Sequence, residues 1–393
     1  MARAGTARHV LYVQPNSEVG GSDIALARTI EAMRGAGQRA SVVLPCDGPL
    51  VARLRAAGAE VHFLPMRQLR TIRSLSYQAG YLMRFIPTVI RMARLIRRIR
   101  PDLVHSNSLY CLYGAFGAKL ARTPHLWHIR EMAPRVPVLT AAYAQMVRRL
   151  SDTILAMSEP CVEALFRRRP ENVAVMPDAL DQEAFRAPRR PGRLRRELGI
   201  GEAERIVGFA ARLDPWKGVH VFLDACARVA RARRDVRFVI AGGAPEGLEQ
   251  YARDLKDQAA RLGLGDRVLF LGWRYRLADM VDVMEGYDIF CHTSIEAEPF
   301  GLVLLEAMAV ATPVIAARAG GPLDIIEDGV SGLLVRPGDA AALARAITGL
   351  LDDPARARRI GRAGQARQAA EFSPPRFIER LSSIHDSTLA RRQ

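Results

Sequence analysis

Two doubly wound α/β domains, each a parallel sheet covered by helices, are the fold this sequence predicts. Short apolar runs suited to buried strands alternate from end to end with stretches of helical periodicity. A segment rich in Pro and Arg, Phe185-Arg-Ala-Pro-Arg-Arg-Pro-Gly192, interrupts the pattern near the middle. The 393 residues suffice for two domains of ordinary size, each with its own core. The expected division is 1–187 and 193–372, with a further helix over 373–393.

In the first half, apolar strands are expected at 9–14, 40–44, 60–64, 102–105, 125–129, 152–157 and 172–176. In the second half they are expected at 205–210, 236–241, 267–271, 288–293, 313–316 and 332–335. Helical patterns fill the gaps, as in Val219–Arg233, Gly247–Leu262 and Ala340–Leu351. Another helix is marked by Leu82, Phe85, Ile86, Val89, Ala93 and Ile96, which recur at helical spacing; Pro87 is expected to start or kink it. After Ser373-Pro-Pro375 a last helix begins.

The chemistry concentrates in the second half. Glu298-Pro-Phe-Gly-Leu-Val-Leu-Leu-Glu306 follows the strand-like run Asp288–Ser294, so Glu298 falls in a strand-to-helix loop and Glu306 about two turns into the helix. Pro299 suits a helix start because its missing N–H would have no partner there. The amides of Phe300, Gly301 and Leu302 then point outward at a positive dipole end, where Gly301 admits a ligand close to the backbone. Two glutamates eight apart are usually just solvated. A second element strengthens the reading: the strand Ile206–Ala211 runs into Arg212-Leu-Asp-Pro-Trp-Lys217-Gly218, two cations at the carboxyl end of a strand. The chain has only three lysines, Lys119, Lys217 and Lys256, so an ammonium retained beside an arginine points to a phosphate oxygen. The competing reading is an ordinary surface Arg and Lys at a helix start.

Together, Arg212/Lys217, the Glu298–Glu306 motif and the early Gly20-Gly21 loop resemble glycosyltransferase family four, retaining sugar-nucleotide enzymes of GT-B fold. The resemblance covers essentially the whole chain and is most specific in the second half. It implies two Rossmann-like domains facing across a cleft, the last helix crossing back to the first. It also implies that a hexose-type sugar moves from a nucleoside-diphosphate sugar to a glycan or lipid-linked acceptor, as in bacterial-type cell-surface polysaccharide or glycolipid synthesis. By the same resemblance, Arg212 and Lys217 hold the distal phosphate of the donor, Glu298 and the Phe300-Gly301 backbone hold the sugar, Leu302 and Val303 amides meet the diphosphate, and Glu306 takes the ribose. Gly272-Trp273-Arg274 resembles the base-binding loop, Gly320 and Gly321 a loop near the sugar, and Gly20 and Gly21 the loop facing the phosphates and acceptor. His128 stands where the family has a histidine near the reacting carbon, whereas a lone histidine is otherwise more often structural.

The chain departs from the family pattern at three places. Ser22-Asp23 follows the glycine pair where a Glu is common, Asp178-Ala-Leu-Asp181 replaces Asn-Gly-Val-Asp, and Gly242-Gly243-Ala-Pro245 replaces Gly-x-Gly-Pro. No Asp-x-Asp triplet occurs, so the expected enzyme uses its own cations and amides in place of a metal ion, with no cofactor.

Charge is unevenly shared. Residues 1–190 carry 28 Lys/Arg against 14 Asp/Glu, and residues 191–393 carry 29 against 27, so nearly all of the net +16 lies in the first half. The densest stretch runs from Arg67 to Arg100, with Arg84, Arg91, Arg94 and Arg98 on one helix face. An anionic membrane surface is the expected partner there, in keeping with a lipid-linked acceptor; the alternative is a helix face in water. The five cysteines are scattered and odd in number, and Met1–Arg8 is polar and short. The expectation is a reduced, cytoplasmic protein without a signal peptide, soluble or peripheral at the inner face of the membrane. Two other enzyme classes share the resemblance: a sugar-nucleotide epimerase, and a phosphorylase needing a pyridoxal lysine, for which Lys217 and Lys256 are the second-half candidates. A nucleic-acid binder ranks last, because stacking aromatics do not interleave the arginines.

Overall fold

The computed structural model describes residues 8–18, 21–67, 75–134, 136–186, 190–274 and 276–392. The chain divides into two units, Met1–Asp178 with Pro374–Gln393, and Ala179–Ser373.

In the first unit, the strands are β1 (His9–Val13), β2 (Arg39–Leu44), β3 (Glu60–Phe63), β4 (Leu103–Ser106), β5 (His125–Ile129), β6 (Thr153–Ala156) and β7 (Val173–Val175). Between them run α1 (Gly21–Gly35), α2 (Pro49–Ala56), α3 (Leu75–Ile99), α4 (Leu112–Ala121), α5 (Pro137–Leu150) and α6 (Glu159–Leu165). All strand pairs are parallel, in the order β3-β2-β1-β4-β5-β6-β7. The sheet therefore reverses direction of growth between β1 and β4, which opens a crevice beyond their carboxyl ends.

The second unit starts with α7 (Gln182–Arg186) and α8 (Arg193–Leu198). Its strands are β8 (Arg205–Ala210), β9 (Val236–Ala241), β10 (Val268–Gly272), β11 (Ile289–His292), β12 (Val314–Ala317) and β13 (Leu333–Val335). Its other helices are α9 (Val219–Ala232), α10 (Glu249–Arg261), α11 (Leu277–Gly286), α12 (Leu302–Ala309), α13 (Pro322–Ile325), α14 (Ala340–Asp352) and α15 (Pro354–Glu371). The parallel order is β10-β9-β8-β11-β12-β13, so this sheet reverses between β8 and β11. Its core is apolar: Val207, Phe222, Phe238, Ile240, Cys291 and Ile347 are among the fully buried side chains.

The break between units precedes the Pro/Arg-rich segment. Leu180 N–H donates to the Phe372 carbonyl at 2.9 Å, Gln182 and Gln368 side chains bond at 2.9 Å, and Phe185 is 1% exposed. These contacts tie the chain to α15 as soon as it passes Asp178. The expected boundary at 187–193 thus lies inside the second unit, and Arg190 reaches Asp282 there. The last helix, α16 (Pro374–Ala390), belongs to the first unit: Thr388 donates to Thr153 at 2.8 Å, and Gln38 bonds His385 at 3.1 Å.

α3 narrows one expectation and corrects another. Pro87 lies inside the helix and does not start it. The carbonyl that Pro87 leaves without a helical bond is that of Met83, and both residues face outward, where water can take the bond. The buried face is formed by Tyr81, Val89, Met92, Ala93 and Ile96 with Phe85 packed beside them, whereas Leu82 and Ile86 are 68% and 66% exposed. Leu82 and Ile86 follow the same four-residue spacing as the exposed face, so periodicity alone assigned them to the wrong side.

Several histidines are buried among the first unit's strands. Burial holds His125 down at about 4, and burial with the Arg8 charge holds His385 at about 3. An unfolded histidine titrates near ~6.5. Between those values the unfolded chain takes up protons that the folded unit excludes. Their contribution is complete above pH ~6.5 and is lost as pH falls toward the folded values, about 2 kcal/mol for each ring by pH 5. Urea unfolding should therefore show a clearly lower midpoint at pH 5 than at pH 7 for the transition of the first unit. A midpoint that does not move would mean that these rings are already charged in the folded protein.

Candidate active site

The second unit's switch point is built from two loops sewn together. After β8, Asp214 accepts from Trp216 N–H and opens one turn of 3-10 helix at Pro215–Lys217. Gly218 closes that turn at φ 70°, and a Cβ there would stand 2.0 Å from the Thr293 carbonyl oxygen. Thr293 Oγ1 donates to the carbonyls of Lys217 and Gly218 at 3.1 and 2.9 Å, and Ile295 N–H donates to the Trp216 carbonyl at 2.8 Å. The loop beyond β11 thereby fixes the loop that carries Lys217.

That lysine is directed at Glu298. Nζ lies 2.5 Å from Glu298 Oε1 and 4.1 Å from the centre of the Trp216 ring. The other carboxylate oxygen, Oε2, is 2.7 Å from His292 Nε2 and accepts from Ser294 Oγ at 2.9 Å. Burial alone would push this carboxyl up. The charges of His292 and Lys217 and their hydrogen bonds outweigh it and hold the group well below the ordinary carboxylate range.

Around the pair, the backbone is laid down by close approach. Glu298 and Gly320 form an isolated parallel bridge, and Gly321 N–H donates to the Glu298 carbonyl at 2.7 Å. A Cβ on Gly320 would come within 2.2 Å of the Glu298 carbonyl oxygen, and one on Gly321 within 2.2 Å of Phe300 Cα, so no side chain fits at either position. Phe300 itself turns inward, 2% exposed and 6.1 Å from the Phe372 ring, which leaves only its backbone for a ligand. Gly301 caps α12, and the Leu304 N–H takes the Gly301 carbonyl. The amides of Leu302 and Val303 precede any helical acceptor, and Glu306 stands half-buried one turn on. Arg212 is exposed and has no ion pair among the described residues.

A third loop completes this edge. Gly242 N–H donates to the Gly272 carbonyl at 2.8 Å, and Leu213 N–H donates to the Gly243 carbonyl at 2.9 Å, which joins the ends of β8, β9 and β10. The Trp273 indole lies against Gly243 and is 39% exposed. Arg274 pairs with Glu197 at 2.5 Å, so its charge is already matched from α8. The structure thus brings Arg212, Lys217, Glu298, Phe300, Gly301, Leu302, Val303, Glu306, Gly272, Trp273 and Arg274 to one end of one sheet.

The first unit gathers a different set at its switch point. Gln14 follows β1 and donates to Asp23 at 2.5 Å, while Asn107 after β4 donates to Gln14 at 2.7 Å. Asp23, in the first turn of α1, is therefore occupied by Gln14. Gly21 opens α1, and Gly20 lies outside the described residues. Ser108 Oγ and Leu109 N–H both donate to the Glu131 carboxylate, at 2.5 and 2.8 Å. Arg130 forms a buried ion pair with Asp178 at 2.5 Å, which accounts for an acid where the family commonly has Asn: an amide would leave a buried guanidinium without a countercharge.

His128 is the fourth residue of β5, 2% exposed, and its Nδ1 lies 3.3 Å from His105 Nε2. Burial, then Arg130 and His385, hold its ring well below the ordinary histidine value. Its Nε2 is buried and has no hydrogen-bond partner among the described residues. Sequence reasoning missed His292, Thr293 and Ser294, which orient Glu298 and the lysine loop; the run Cys-His-Thr-Ser looks like any strand end. Among the described residues, no group of three or more His, Cys, Asp or Glu side chains is placed to hold a metal ion.

Comparison with known proteins meets this geometry from outside. The family model "Glycosyl transferases group 1" matches residues 192–367, and "Glycosyl transferase 4-like domain" matches residues 20–179. A D-inositol 3-phosphate glycosyltransferase of Stackebrandtia nassauensis is 32% identical over 280 residues, 70% of this chain and 62% of that protein. D-inositol 3-phosphate glycosyltransferase 1 of Catenulispora acidiphila is 34% identical over 320 residues, 73% of this chain and 72% of the relative. The chain thus spans less than two thirds of the length of some of these relatives. Anabaena Alr3699/HepE, solved in complex with UDP and glucose, superposes with a TM-score of 0.80 at 27% identity, over 95% of this chain and 98% of that one. A glycosyltransferase from Rickettsia africae shares the fold at a TM-score of 0.81 and 19% identity, over 98% of this chain and 99% of the other. Both halves are matched by the family's own models, relatives exceed 30% identity over most of the chain, and the two sheets have the family's arrangement: this chain belongs to the family-four glycosyltransferases of GT-B fold.

Proposed function

We propose that this protein transfers a hexose-type sugar, with retention, from a uridine-diphosphate sugar bound at the β8–β11 switch point. The observation that carries the reading is the buried Lys217–Glu298 pair set beside the amino end of α12 and the exposed Arg212. A diphosphate leaving group needs positive charge on its departing oxygens. Lys217, Arg212 and the Leu302 and Val303 amides supply it from fixed positions. Glu306 suits a ribose diol, and the Gly272-Trp273 loop suits a base. Uracil is favoured because the HepE structure at 27% identity holds UDP. Glu298, with one oxygen on Lys217 and the other on His292 and Ser294, acts first as the group that positions the lysine. Ordinary phosphate chemistry at these cations makes a divalent metal unnecessary.

For the acceptor, a lipid-linked glycan is our reading, supported by the exposed apolar and basic outer face of α3 in the first unit. Among the described residues no helix is long and apolar enough to cross a membrane, so the contact would be peripheral. A second reading, a soluble polyol phosphate, is favoured by the relatives named D-inositol 3-phosphate glycosyltransferases. Incubating the chain with radiolabelled UDP-glucose and either a bacterial lipid extract or D-inositol 3-phosphate separates them. Label in the organic phase supports the first, and label in a water-soluble anion supports the second.

Two outcomes test the donor site. Lys217→Ala and Glu306→Ala should each weaken UDP binding by roughly 1.5–3 kcal/mol in calorimetric titration, because each removes a charge-assisted hydrogen bond. UDP bound as tightly by both variants as by the wild type would place the nucleotide elsewhere. Turnover should also survive excess EDTA; activity lost to the chelator and restored by Mn²⁺ would overturn the metal-free reading.

A further inference from the structure

α3 divides its outer face along its length. Leu82, Met83, Ile86 and Ile90 are 68%, 73%, 66% and 40% exposed, a run of apolar side chains spanning about 12 Å of helix. From Arg91 onward the same face becomes basic: Ile86, Ile90, Arg94 and Arg98 continue one four-residue spacing, with Arg91 alongside. Arg91, Arg94 and Arg98 are exposed and have no ion pair among the described residues. They lean over the open edge of the sheet, where β3 pairs with β2 alone.

A groove of about 300 Å³ lies between that edge and α3, lined by the three arginines, His62, Phe63 and Leu95 among others. Phe63, Leu64 and Leu95 supply its apolar lining, and Phe63 is 43% exposed. His62 Nε2 is buried, 3.4 Å from Glu60 Oε1. The other oxygen of Glu60 pairs with Arg39 at 3.0 Å, and none of the three arginines forms an ion pair with this acid among the described residues. Three guanidinium groups around a small concavity fit the oxygens of one phosphate ester, and a Phe and a Leu in its lining fit the carbon skeleton attached to it.

We propose that this groove seats the phosphate headgroup of an anionic phospholipid, with the apolar first half of α3 entering the interface beside it. The proposal rests on the lipid-facing reading of the first unit and narrows it from a diffuse attraction to one seat. The apolar run is what selects a lipid over a soluble phosphate ester, since a soluble ligand has no use for four exposed apolar side chains next to its site.

The test uses the full chain and vesicles of phosphatidylcholine with or without phosphatidylglycerol, at physiological salt. Arg94→Gln with Arg98→Gln should weaken binding to the anionic vesicles about tenfold or more. Arg53→Gln with Arg55→Gln, which removes the same charge from the exposed side of α2, should change it by less than about threefold. Leu82→Ser with Ile86→Ser should weaken it as well, leaving the His62 NMR signal still shifted by millimolar glycerol phosphate. Equal losses from the two arginine pairs would overturn the seat and leave only general attraction. Wild type that ignores anionic vesicles yet shows the glycerol phosphate shift would overturn the lipid and name a soluble ester. Sugar transfer is assayed separately on the same vesicles, so vesicle binding without transfer would count against the acceptor reading alone.

Discussion

Lys217 and Glu298 form the contact around which the second unit is arranged. Two opposite charges enclosed together are stable only where geometry and hydrogen bonding are nearly complete. The chain meets that condition from several directions: His292 and Ser294 occupy the far oxygen of the carboxylate, and Thr293 grips the backbone under the lysine. The two glycines after β12 press the Glu298 loop into place from the other side. Loosening any one of these would leave a buried charge without its match. The same contact explains why the loops after β8 and β11, far apart in sequence, keep one relative position.

The two units solve the same topological problem with different chemistry. Each sheet reverses at a central pair of strands and so opens a crevice at their carboxyl ends. In the second unit the crevice is edged by cations, amide donors and carboxylates. In the first it is edged by neutral amides and by acids whose partners are internal: Asp23 with Gln14, Glu131 with Ser108, Asp178 with Arg130. That division leaves the first unit's rim tied up in internal hydrogen bonds and one buried ion pair.

Much of this was legible in the sequence because parallel strands buried on both faces leave continuous apolar runs, and all thirteen strands emerged within one or two residues of their expected places. The Glu298–Glu306 loop was legible for a local reason: the two acids sit within nine residues, ahead of and inside the start of α12. Contacts made by distant partners were not. His128 reads as a strand-end histidine, but its ring packs on His105, which is met in turn by His385 of α16, more than two hundred residues later. Leu82 and Ile86 obey a helical period that does not say which face is inside. The place where the units divide was hidden because Leu180 and Gln182 are held by Phe372 and Gln368, and nothing in a Pro/Arg-rich segment announces that the break has already passed.

The return of α16 to the first unit sets an order of events during synthesis. A ribosome delivers residues 8–178 first, but the surface that His105 and Thr153 present to α16 stays uncovered until residues 374–390 have been made. Everything from Ala179 to Ser373 is available to fold in the meantime. The usual vectorial rule, amino-terminal domain first, is therefore inverted for the final closure of this chain. The unit begun first is the one finished last, and a nascent chain stalled before α16 would display an open layer of histidine and threonine to whatever chaperone stands at the tunnel exit.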